Sequence, residues 1–104
     1  MNKIIINLEY GCYPVWVYNA GDELIINDLP WELSEEIEID DSFSEIQKIY
    51  DHHFKNNCME HYVGFKSESD KAHFIKMIDN AINLIKMKTG DLYFIEKKFD
   101  IQKL

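Results

Sequence analysis

The segment from Ser67 to Gly90 constrains the fold more than any other part of the chain. Phe74, Ile75, Ile78, Ala81, Ile82 and Ile85 recur at three- and four-residue spacing, which predicts a long helix with one buried face. Ser67 is placed to cap it, and Glu68 and Asp70 complement the dipole of its first turn. Lys86 and Lys88 sit at its carboxyl end, and Gly90 stops it. A helix with a single apolar stripe needs a second layer to pack against.

The first half supplies that layer. Lys3 to Glu9 reads as a strand whose run Ile4-Ile5-Ile6 implies burial on both faces. Tyr10-Gly11-Cys12-Tyr13-Pro14 reads as a turn, and Val15-Trp16-Val17-Tyr18 as a β-branched and aromatic strand completing a hairpin. After a turn at Asn19-Ala20-Gly21-Asp22, Glu23 to Ile26 offers a short third strand. Asn27-Asp28-Leu29-Pro30 breaks the sheet pattern, and Trp31 to Ile39 fits only a helical turn or an edge loop. Asp41 or Ser42 is placed to cap a second helix, Ser42 having capping-box spacing to Glu45, with Phe43, Ile46, Ile49, Tyr50 and Phe54 as its buried stripe and its end at Asn56-Asn57. Met59 to Lys66 reads as a strand with Gly64 as a bulge, and Leu92 to Phe99 as the last strand. The expectation is one α+β domain over residues 1–104, in the order β-β-(β)-α-β-α-β. Two helices cover a mostly antiparallel sheet of four to five strands. At 104 residues the chain has room for a single core.

Charge is distributed unevenly along this pattern. Residues 1–47 hold eleven acids against one base, Lys3, a net of −10. Residues 48–104 hold eight acids and ten lysines, a net of +2, and the chain has no arginine. The overall −8 argues against direct nucleic-acid binding, which needs a basic footprint, and against anionic membrane surfaces. No run approaches the ~20 apolar residues of a membrane span. Lys3 is followed by only three isoleucines before Asn7, so no signal peptide is expected. Cys12 and Cys58 are accordingly expected as reduced thiols of a cytoplasmic protein.

Residues that could carry chemistry are few. His52, His53, Cys58 and His61 are zinc-ligand types, but they lack the paired spacing of a structural site, and two adjacent histidines on a helix diverge by about 100°. Surface and core roles explain them as well. Cys12 would need a depressed pKa to act as a nucleophile, yet its surroundings are acidic, which raises it. No nucleophile elbow, phosphate loop or dinucleotide fingerprint is present, and no cofactor or metal is expected. No catalytic residue can be assigned, so the chain reads as a non-enzyme.

What remains is the acidic, aromatic first half. Trp16 and Tyr18 share one face of their strand and Val15 and Val17 the other. If the valines face the core, the rings lie beside the acids as anchors within a charged rim; otherwise the rings are core. The candidate partner-binding residues are Trp16, Tyr18, Asp22, Glu23, Asp28, Trp31, Glu32, Glu35, Glu36, Glu38, Asp40 and Asp41. Such a surface could steer a basic partner or merely solubilise the domain.

The leading Ile-rich strand, Tyr10 to Tyr18, Asn27-Asp28-Leu29-Pro30 and the acidic stretch together resemble small bacterial proteins. In size, charge and lack of motifs the chain is similar to immunity proteins of contact-dependent and other polymorphic toxin systems. That resemblance implies a cytosolic antidote that binds one cognate toxin, commonly a nuclease, and blocks its active site. Two other readings stand beside it. One is a small enzyme or metal- or ligand-binding domain using Cys12 or the His52/His53/Cys58/His61 group; the other is a structural adaptor subunit.

Overall fold

The computed structural model describes residues 1–54 and 62–104. Four strands, β1 (Lys3–Ile6), β2 (Val15–Tyr18), β3 (Leu24–Ile26) and β4 (Phe94–Lys97), form one mixed sheet in the order β3-β2-β1-β4. β1 pairs antiparallel with β2 and parallel with β4, and β2 pairs antiparallel with β3. Two helices, α1 (Ile37–Asp51) and α2 (Glu68–Thr89), complete an α+β domain. A 3-10 turn, Trp31–Leu33, leads into α1.

Register explains which residues became core. Ile4, Ile6 and Val15 join Leu33 from the 3-10 turn, Ile39, Phe43 and Ile46 of α1, and Phe74, Ile78, Ala81, Ile82 and Ile85 of α2 in one buried cluster. Both helices therefore cover the same face of the sheet. The intervening residues Ile5 and Trp16 are partners in the ladder, as are Lys3 and Tyr18, and they occupy the opposite face. β1 is a central strand between β2 and β4, and all three of its isoleucines are buried, as the continuous apolar run predicts.

The long helix forms as its sequence demands. Ser67 Oγ accepts from Asp70 N at 3.3 Å, and the Gly90 amide donates to Lys86 O at the other end. The hairpin also forms: Asn7 N donates to Pro14 O at 3.1 Å, and Gly11 takes a φ of +73° in the intervening turn.

The start of α1 differs from expectation. The helix begins at Ile37, and Glu36 at its N-cap makes no side-chain capping bond. Ser42 lies inside it, its hydroxyl donating back to Glu38 O at 2.9 Å, so the Ser42–Glu45 capping box does not form. The reason is hydrophobic. Ile39 is buried one turn ahead of Phe43, and extending the helix to include it adds a core contact that a start at Ser42 would forgo. Glu38 and Asp40 in the first turn also complement the helix dipole.

The strand expected over 59–66 reduces, among the described residues, to a single antiparallel bridge between Phe54 and Tyr62. Gly64 has a φ of +72°, outside strand geometry, and a Cβ there would lie 3.4 Å from the Leu104 backbone. The chain turns against its carboxyl end there instead of continuing a ladder. α1 ends at Asp51, and the helix end expected at Asn56-Asn57 lies outside the described residues.

Candidate functional site

Three elements carry the acidic segment: β3 with its flanking turn, the 3-10 turn, and the amino end of α1. Five of the nine candidate acids are occupied within the fold. Asp22 pairs with Lys3 across the sheet end. Asp28 accepts from the Leu29 amide at 2.7 Å. Glu32 accepts from the Tyr93 hydroxyl at 2.6 Å, Glu36 lies 3.7 Å from the Lys88 ammonium, and Asp40 accepts from the Tyr13 hydroxyl at 2.9 Å. Apart from the local Asp28 bond, these contacts hold the segment to Lys3 of β1, to Tyr13 of the hairpin turn and to the junction between α2 and β4.

The Tyr13–Asp40 bond is the best supported of them. The Tyr13 ring packs 6.2 Å from that of Phe43, and its carbonyl accepts from Asn27 Nδ2 at 2.6 Å. Burial pushes the Tyr13 hydroxyl well above its ordinary pKa, and the bond to Asp40 and the nearby acids push it the same way. The hydroxyl therefore stays protonated as a donor at any physiological pH.

Glu23, Glu35, Glu38 and Asp41 are exposed, and their carboxylates have no hydrogen bond or ion pair among the described residues. Large apolar side chains are exposed among them. Trp31 is 81% exposed and Ile37 74%, while Leu24, Ile25 and Ile26 are near half. Exposed single apolar residues are ordinary, but five fall within residues 24–37, a stretch that holds Glu35 and is flanked by Glu23 and Glu38. Leu24, Ile25, Ile26 and Ile37 were not among the sequence candidates. Alternation would have assigned one face of β3 to the core, and nothing in the sequence signals that all three of its residues stay open.

The other aromatics are divided. Val15 and Val17 do face inward, leaving Trp16 and Tyr18 half-buried on the opposite sheet face. Trp16 Nε1 donates to Asn7 O at 3.3 Å, so that ring is tied to the hairpin. Trp31, by contrast, is exposed.

Of the residues of the alternative chemistry, Cys12, His52 and His53 are described. Cys58 and His61 fall outside the described residues. His52 is exposed, and His53 Nδ1 is 2.7 Å from Ile49 O, so that nitrogen carries the proton. Among the described residues no group of three His, Cys, Asp or Glu side chains could hold a metal ion. Cys12 lines an open cleft of about 860 Å³ with Tyr10, Tyr50, Phe54 and Tyr62. The Tyr62 hydroxyl is buried there, without a hydrogen-bond partner among the described residues, and burial pushes it up to about 12. Neither His52 nor His53 lines the cleft. Burial, then Glu9 and Asp51, push the Cys12 thiol up, so it is a thiol at neutral pH rather than a nucleophilic thiolate. In a Cys58→Ser background, alkylation of Cys12 by iodoacetamide should rise with a pH midpoint above that of free cysteine. A midpoint near or below neutrality would contradict this account.

No helix among the described residues is long and apolar enough to cross a membrane. No protein-family model matches the chain, and no curated protein matches it significantly.

Proposed function

We propose that this protein is a non-enzymatic binding protein that docks onto a basic partner through the surface formed by residues 22–41. The proposed partner is a cognate protein toxin, such as a nuclease, whose phosphate-binding site the free carboxylates would occupy, in the manner of an immunity protein acting in the cytoplasm. One observation carries the reading. Trp31 and its apolar neighbours are exposed in the same stretch whose acids Glu23, Glu35, Glu38 and Asp41 are left unpaired by the fold. An apolar anchor ringed by charge supplies affinity at the centre and steering at the rim.

The test uses the protein encoded by the neighbouring reading frame. The wild-type chain should form a one-to-one complex with it and abolish its toxicity. Trp31→Ala should weaken that complex by about 30-fold, the loss expected of a central anchor worth ~2 kcal/mol. Because Trp31 is 81% exposed in the free protein, its removal should leave thermal stability nearly unchanged. No complex, or a complex indifferent to Trp31→Ala, would contradict the proposal.

A further inference from the structure

Among the described residues the sheet has two edges, and they are unlike. β4 carries Glu96 and Lys97 within the strand, charges that discourage pairing with a further strand. β3 reads Leu24-Ile25-Ile26, with exposures of 50%, 53% and 45% and no charge within it. Acids bracket it instead, Asp22 and Glu23 before and Asp28 after. Trp31 follows Ile26 by five residues, so the chain keeps it within ~18 Å of that strand end.

We infer that β3 is a docking edge for an extended, basic segment of a partner protein. The segment adds a strand beside β3, placing apolar side chains against Leu24, Ile25 and Ile26 and lysines or arginines beside Glu23 and Asp28. Charge selects this occupant over a second copy of the chain. Two copies joined edge to edge would bring Glu23 and Asp28 of each near the same acids of the other, while Asp22 is already paired with Lys3, whereas a basic segment neutralises them. β3 spans three residues, and its pairing with β2 shifts register between Val17 and Tyr18, so the added ladder is short. Flanking charges and apolar contacts therefore set the register of the docked segment, and the backbone bonds supply only part of its affinity. The inference rests on the acidic-surface reading above and adds how the partner is held.

The test is an amide NMR titration of the whole chain with a short capped peptide alternating lysine and valine. A peptide of the same length alternating glutamate and valine is the control. The lysine peptide should shift resonances and slow amide exchange around residues 23–28, with affinity falling as salt is added. Binding should be at least about tenfold weaker for the glutamate peptide and for Ile25→Lys with the lysine peptide, a difference of ~1.4 kcal/mol. Ile25→Val should retain binding, and the exposed position lets both variants fold, as their melting temperatures would show. A footprint on β4 or in the Cys12 cleft, equal binding of both peptides, or a dimer of the free chain with protected β3 amides would overturn the inference. Failure of the broader reading looks different. If the neighbouring-frame protein binds wild type and Ile25→Lys equally, the docking edge falls and the acidic surface stands. If that protein does not bind while the peptide footprint is on β3, the edge stands and the toxin partner falls.

Discussion

Phe43→Ala should lower the melting temperature by about 15–30 °C. Phe43 is fully buried in α1, and removing such a ring costs ~3–5 kcal/mol through lost transfer energy and the cavity left behind. Each kcal/mol shifts the midpoint by roughly 4–8 °C in a domain of this size. Total stability is ~5–15 kcal/mol, so this loss is a large fraction of it. The loss also reaches the surface. Phe43 packs against Tyr13, whose hydroxyl bonds Asp40 one turn earlier on α1, so the amino end of the helix loses its tie to the hairpin. Tyr13→Phe separates the two contributions: it keeps the ring and removes the bond, and should cost only ~0.5–1.5 kcal/mol, or somewhat more where charge assists the bond. A drop of a few degrees for Phe43→Ala, read by calorimetry, would mean that α1 does not dock on this ring.

Reversing Glu23, Glu35, Glu38 and Asp41 to lysine should slow association with the basic partner by ~10–10³-fold. Among the described residues these four candidate acids have no hydrogen bond or ion pair, so their reversal alters the field at the surface and breaks no contact seen there. The loss should appear mainly in the association rate, because rim charges steer encounter more than they hold the complex. Reversing Asp22, Glu32, Glu36 and Asp40 instead would break the Lys3 pair, the Tyr93 bond, the Lys88 pair and the Tyr13 bond. That set would confuse folding with binding. Stopped-flow rates together with an unchanged thermal midpoint for the first set would identify the effect as steering.

How legible each part was follows from the forces that fixed it. α2 could be read almost to the residue, because cap, stripe and terminal glycine all agree. The hairpin was equally legible, and the burial of Ile4-Ile5-Ile6 on both faces follows from the centrality of β1. α1 began earlier than Ser42 because burying Ile39 outweighed a local capping signal. The parallel partnership of β1 with β4 is a long-range pairing that no local pattern encodes. Within the surface, sequence located the acids but could not say which would be occupied. The partners of Glu32 and Glu36, Tyr93 and Lys88, are distant in the chain, and only the fold brings them together. The exposure of all of β3 was illegible for a related reason: an edge strand and a core-facing strand of three apolar residues read alike.

The most direct test of the acidic docking surface is the association rate of the wild-type chain with the neighbouring-frame protein, measured across ionic strength. The account predicts a rate that falls steeply as salt rises, and a much flatter dependence once Glu23, Glu35, Glu38 and Asp41 are reversed. A wild-type rate that does not change with salt would contradict it.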